Sequence, residues 1–350
     1  MKKLLFLFVL VIASCSTEKK SAKENIRPIH DTIGFAQYAW QLDSIYNRLQ
    51  LKDTPNNKSW KTVISPHDDY KYAGKQYHTS LEGVNANTII LIGVAHRARN
   101  YNLQDKIIFG SFTHWKSPYG KLKVSDLNAK IQNELAKESF IVHDSMQVLE
   151  HSLEAIVPFL HKKNKELEII PILVPYINYE TIDNISSDLS NAVSKILKVN
   201  NLHFGKDVAI VISNDAVHYG TENWSRNLAP YGVDDEGTLK AVNHDKRLIN
   251  DYLTRELSMD KVKSFTKETV QESDYKAYKW VWCGRYSVPF GLAFANKLNI
   301  LQNDVPLTGE FLDYASSIDH KLIQVKDLGM GTTAIATQKH WVAYASIKYE

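Results

Sequence analysis

The sequence predicts a single α/β domain with a mostly parallel central sheet flanked by helices, and three observations carry the prediction. Short runs of β-branched and apolar residues recur, each followed by a longer stretch with helical period. The runs are continuously apolar rather than alternating, as in strands buried on both faces. Three of them end in clusters of hydrogen-bonding side chains, where open α/β sheets bind their ligands.

In chain order, the run at residues 62–64 ends at Ser65-Pro66-His67, and the run at 88–94 (TIILIGV) ends at Ala95-His96. A third run covers 168–174 (EIIPILV), and a fourth, 208–212 (VAIVI), ends at Ser213-Asn214-Asp215. Helical patterns fall near 125–137, 151–165, 180–198 and 236–256. In the last, Leu239, Val242, Leu248, Ile249, Tyr252 and Leu253 keep an apolar stripe. Two further strand-like runs, 332–336 and 341–347, lie near the C-terminus. No internal repeat is visible, and the domain is expected to cover residues 28–350.

The first residues have a different character. Lys2 and Lys3 precede an apolar run at 4–13, which suits a signal-peptide core and is too short to span a bilayer. Ala13-Ser14-Cys15 then resembles the lipobox of bacterial lipoproteins, with Cys15 acylated as the first mature residue. Residues 1–14 are thus expected to be a leader and 15–27 a polar, flexible tether. The chain is expected to be an exported lipoprotein, held at a membrane by lipid on Cys15 and facing the periplasm or cell surface.

Charge excludes one class of partner. The formal net charge is +3, the two leader lysines contribute to it, and no basic run is interleaved with aromatics. Nucleic acid is therefore not expected as a partner. Cysteine usage is more telling. If Cys15 carries lipid, Cys283 is the only thiol of an exported chain that has two cysteines in all. An unpaired thiol in an oxidising compartment calls for burial, metal or use.

His67 and His96 each follow a buried strand, and neutral imidazole is a good ligand for Fe, Cu and Zn. Either one alone could instead cap a helix. Cys283, in Trp282-Cys283-Gly284-Arg285, is a small core residue or a third ligand, with Arg285 close enough in sequence to lower its pKa. His, His and Cys with an open fourth position make a catalytic or redox type of site. Asp215 and His218 are spaced to meet on one helical turn, suited to acid/base work, unless Asp215 simply caps a helix. Glu150 and Glu154 read as complements of a helix N-terminus. His151 between them lacks such a structural reason and reads as a catalytic or substrate-contacting residue. His340 and the remaining histidines read as surface or core residues. No P-loop or dinucleotide fingerprint is present.

These motifs, in order from about residue 60 to the end, resemble the Memo family, also called AmmeMemoRadiSam system protein B. They are Pro66-His67-Asp68-Asp69-Tyr70 with Tyr72-Ala73-Gly74, Gly93-Val94-Ala95-His96, Glu150-His151-Ser152-Leu153-Glu154, Ser213 to Gly220, and Cys283-Gly284-Arg285. Pro158-Phe159 and two Tyr-Ala-Ser segments, at Tyr314 and Tyr344, add to the match. The resemblance implies a fold like that of class III extradiol dioxygenases. It implies an active-site metal cluster at His67, His96 and Cys283, with Asp215 and His218 lining the same pocket. Copper or iron is the implied metal, with zinc as an alternative. This chain departs from the pattern at Asp69, where the family has Gly, and at Val157, where it has a second His. Asp69 would thereby bring a carboxylate beside the metal position.

The function expected first is a metal-dependent redox protein or oxidoreductase of the dioxygenase-like kind. The alternative is a non-catalytic module whose pocket binds a peptide, a small molecule or a metal. A third reading, a hydrolase using Cys283 with His218, requires a hydrogen bond between thiol and imidazole.

Overall fold

The computed structural model describes residues 24–52 and 59–350. The leader, Cys15 and the tether up to residue 23 lie outside the described residues. Among those described, no helix is long and apolar enough to cross a membrane.

The chain runs β1 (Ile26–Arg27), α1 (Ala39–Arg48), β2 (Thr62–Ser65), α2 (Tyr70–Leu81), β3 (Thr88–Val94), β4 (Ile107–Phe109), β5 (His114–Ser117) and β6 (Gly120–Val124). It continues through α3 (Leu127–Glu134), β7 (Phe140–Val142), α4 (Asp144–Leu149), α5 (Val157–Lys163), β8 (Glu168–Val174), α6 (Tyr179–Val199), β9 (Val208–Ser213) and β10 (His218–Gly220). The last elements are α7 (Asp235–Leu248), β11 (Arg255–Glu256), α8 (Met259–Thr269), α9 (Ser287–Asn303), β12 (Thr308–Ser316) and β13 (His340–Tyr349).

One mixed sheet organises the fold, in the order β1-β5-β6-β8-β3-β9-β2-β13-β12-β11. Its centre, β6-β8-β3-β9-β2, is parallel throughout. Ile90 lies beside Ile170 on one side and Ile210 on the other, and all are buried. Each such side chain adds roughly 1.5–3 kcal/mol by leaving water. Helix α9 packs on β3, β8 and β9 with α6 beside it, while α2 packs on β2, β12 and β13. Continuous burial of the strands explains why they read as unbroken apolar runs.

Several expectations are corrected. Ile26 and Arg27, assigned to the tether, form β1 beside β5. Arg27 is fully buried, because its guanidinium collects the carbonyls of Gln147, Val148 and Glu150 and pairs with Glu154. Glu154 is therefore an ion-pair partner, not a helix-end complement. The helix expected over 151–165 begins only at Val157, since Glu150 and Ser152 spend their side chains on the end of β3. Residues 332–336 are not a strand: Thr333 is bonded to the Asp69 carboxylate, and Ala334 O and Ala336 N to the Tyr72 hydroxyl. In the helix expected over 236–256, α7 ends at Leu248, a single π-helical turn follows, and Leu239 is exposed. Asp215 and His218 do not share a helical turn. Val217 between them bridges Trp282, and His218 opens β10 against β13.

Candidate metal site

Parallel strands present their carboxyl ends at one edge, and β3, β9 and β2 are neighbours there. His96, Asp215 and His67 follow those three strands directly. The ladder between β2 and β9 continues past its last paired serines, with Asn214 N donating to Ser65 O at 2.8 Å and His67 N to Asp215 Oδ1 at 2.9 Å. Cys283 arrives from the loop before α9, with its N–H on Asp215 O at 3.1 Å. Gly284 beside it must be glycine: a Cβ would lie 2.2 Å from Asn214 Oδ1.

One nitrogen each of His67, His96 and His151 lie within 4.8 Å of one another, and so do ligand atoms of His67, Asp215 and Cys283. Donors bonding one tetrahedral ion at about 2.0–2.3 Å stand about 3.3–3.8 Å apart, inside that limit. The rings of His67 and His96 meet edge to face at 5.1 Å, and His151 stacks on His96 at 4.9 Å. His67 is buried, whereas the His96 and His151 side chains are 28% and 34% exposed, so the cluster opens outward.

Neighbours fix the tautomers. Ser213 Oγ donates to Ser152 O at 2.8 Å, so it accepts from His67 Nδ1, also at 2.8 Å. The lone pair of His67 Nε2 is left bare, and that buried atom makes no hydrogen bond. Asp215 Oδ2 lies 3.3 Å from it, outside hydrogen-bonding geometry. Burial pulls His67 down to about 4, so it is neutral at ordinary pH, as a ligand must be. His96 Nδ1 is held by Glu150 Oε1 at 2.8 Å, and the other oxygen of that carboxylate takes His96 N at 2.7 Å. Such a carboxylate behind a ligating imidazole orients it and raises its basicity. Burial opposes charge on His96, but Glu150 and Cys283 outweigh it and hold the ring well above the usual histidine range.

The sulfur of Cys283 and His218 Nε2 share a hydrogen bond of 3.1 Å. Burial pushes the thiol up, yet His218, with His96, draws it well below the ordinary value. Asp215 moves the opposite way, raised by burial and then by Asp68 and Cys283.

The structure thus brings His67, His96, Cys283, Asp215, His218 and His151 to one place. Two expectations about their neighbours fail. Asp69 turns away from the cluster: its carboxylate accepts from Thr333 N and Oγ1 at 2.6 and 2.7 Å and fills the space that Gly34 leaves open. Arg285 does not activate the thiol, since its guanidinium stacks on Tyr278 at 3.7 Å and the histidines do that work. Three contributors were missed. Glu150 was assigned to a helix end although it adjoins His151 in the same motif. Ser213 orients His67, and Asp68 accepts from the Tyr344 hydroxyl at 2.6 Å. Only Glu150, in Glu-His-Ser, had a signal in sequence that could have revealed it.

The donor set fits a metal ion. It offers a buried, bare imidazole nitrogen, a second imidazole backed by a carboxylate, and a sulfur poised as thiolate.

Comparison with known proteins identifies the family. The sequence profile of a family described as Memo-like protein matches residues 36–334. The chain is similar to a MEMO1 family protein of Thermococcus kodakarensis, 27% identical over 49% of this chain and 57% of that one. A MEMO1 family protein of Methanothermobacter thermautotrophicus is 24% identical, over 47% and 56% of the two chains. These two alignments span little more than half of the relatives' length. With a MEMO1 family protein of Pyrococcus abyssi the identity is 24% over 77% of this chain and 84% of the relative.

Proposed function

Because the chain belongs to the Memo-like protein family, we propose that it is a metal-dependent redox protein or oxidoreductase whose ion is held by His67, His96 and Cys283. One observation carries the reading: His67 Nε2 is buried and bare, its ring fixed by Ser213, with the Cys283 and Asp215 ligand atoms within 4.8 Å. An unsatisfied buried nitrogen costs about 1–3 kcal/mol, which an ion held among these donors would recover. Thiolate with imidazole suits copper, and an open site with two histidines suits iron, with zinc as the non-redox alternative.

A bound copper or iron ion would supply one-electron redox chemistry and Lewis acidity at these donors. The chain's own residues do the rest. Glu150 orients His96 and keeps it basic. His218 holds a proton at the Cys283 sulfur, 3.1 Å away. Asp215, whose carboxyl burial raises, faces His67 and holds the backbone of the site through His67 N at 2.9 Å. His151, one-third exposed at the mouth and stacked on His96, is placed to touch an incoming ligand. Elemental analysis and activity assays on anaerobically purified protein test the proposal. His67→Ala and Cys283→Ala should each abolish metal retention, and wild-type metal content in both variants refutes it. Metal retained without turnover would favour the non-catalytic binding module.

The Cys283–His218 contact also supports a second reading, a thiol hydrolase, since it meets the geometry of an activated nucleophile. Inactivation by iodoacetamide that chelators leave unchanged would favour it. Export and lipid anchoring belong to the same proposal, on the leader at 1–14 and Cys15. Labelling with radioactive palmitate that survives Cys15→Ser would remove them.

A further inference from the structure

Loops at the carboxyl edge of the sheet gather three arginines around two tyrosines. Tyr176 follows β8, Arg99 lies three residues past His96 on the loop after β3, and Arg285 lies two residues past Cys283. The Arg99 guanidinium is 4.7 Å from the centre of the Tyr176 ring, and that of Arg285 is 5.9 Å from it. Arg285 also covers Tyr278 at 3.7 Å, and Arg226 approaches the same ring at 5.0 Å. Strand order makes the cluster a neighbour of the metal site. Tyr176 follows β8, His96 β3, Asp215 β9 and His67 β2, along one sheet edge.

These cations are not neutralised. Among the described residues, none of the three guanidinia forms an ion pair. Arg99 donates to Lys276 O at 3.2 Å and Arg285 Nη1 to Trp282 O at 3.1 Å. Nearby acids are engaged elsewhere: Asp105 accepts from the Tyr275 hydroxyl, and Asp274 from Lys276 N. Arg285 is the telling member. It is 5% exposed and its Nε has no hydrogen-bond partner. A buried cation normally finds an anion, and stacking on rings offsets only part of its desolvation.

We propose that Arg99, Arg226 and Arg285, with Tyr176 and Tyr278, form a carboxylate-binding subsite beside the metal site, so that the pocket takes an acidic small molecule. The planar edge of Arg285 that carries Nε matches the paired oxygens of a carboxylate. Arg99 and Arg226, both exposed, draw the anion in. The inference rests on the proposed metal site only for the ligand's other end.

Calorimetric titration of the full chain, with metal content measured on the same samples, tests it. The probes are 3,4-dihydroxybenzoate and its uncharged analogue 3,4-dihydroxybenzamide. The acid should bind at least about tenfold more tightly, as expected for a charge-assisted bidentate contact. R285Q should erase that preference, and R99Q should reduce it severalfold with metal content unchanged. Arg285 is buried, so R99Q carries the test if R285Q misfolds. Equal affinity for acid and amide, no binding of either, or a preference that R99Q leaves unmoved would overturn the proposal. Protein that lacks metal yet prefers the acid would keep the subsite and remove the metal reading. Metal-loaded protein without the preference would do the reverse.

Discussion

Two buried polar clusters lie on either side of the Trp282–Cys283 peptide and are built on opposite principles. On one side the Asp245 carboxylate accepts from Trp280 Nε1 at 3.0 Å, from Trp282 Nε1, and from the Tyr314 hydroxyl at 3.1 Å. Its three donors converge on one acceptor and all are satisfied. On the other side Ser213, Glu150 and His218 hold imidazoles and a sulfur by their outer atoms, while His67 Nε2 points inward with no partner. A satisfied network rigidifies a core. A set of ligand atoms held from behind and left open in front is arranged for something else to complete it. Polarity is alike in the two clusters, and the pairing distinguishes them.

The sharpest way to break this contrast is to remove a donor from each. His67→Ala or Cys283→Ala should weaken metal binding by about 100-fold or more, beyond the loss expected for a supporting residue, as read by competition with a chromogenic chelator. Asp245→Ala should leave metal affinity alone but lower unfolding stability by about 3 kcal/mol, since it strands two indole N–H groups and a phenol. Chemical denaturation measures that. Equal metal loss in both variants would dissolve the distinction.

Titration separates the clusters too. Burial raises the Asp245 carboxyl from 3.8 to about 6, the donors from Trp280, Trp282 and Tyr314 opposing. The folded state therefore binds this proton more tightly than the unfolded chain. The stabilisation is full below about pH 4 and is lost as pH rises through 6, amounting to about 3 kcal/mol. Stability measured from pH 4 to 7 should fall less steeply in Asp245→Asn than in the parent. A slope identical in both chains would count against it.

Finer changes sharpen the metal side. Glu150→Gln keeps the acceptors but removes the charge behind His96, so metal affinity should drop about 10-fold to 100-fold. Asp69→Asn, one residue from Asp68 but facing Thr333, should change metal affinity by less than about twofold, since supporting residues act through contact with a ligand. A large effect of Asp69→Asn would return that carboxylate to the site.

Sequence reading found the strands and the pocket for a physical reason. Strands buried on both faces are unbroken apolar runs, and parallel strands all present their carboxyl ends at one edge. His67, His96 and Asp215 were therefore legible as a group before any contact was known. It missed helix α9, whose buried residues surround it and leave no amphipathic period, and α2, rich in tyrosine. It also placed Asp215 and His218 on a helical turn where the chain is extended.

What composition and local pattern determined by themselves was the α/β class, the shared edge and the donor types gathered there. Tertiary structure alone decided which carboxylates serve the site. Asp68 and Asp69 are adjacent, yet one meets Tyr344 and the other Thr333. Glu150 reaches His96 across 54 positions, and Cys283 reaches His218 across 65. Side-chain direction depends on backbone path and on long-range packing, and neither is written in the spacing of residue types.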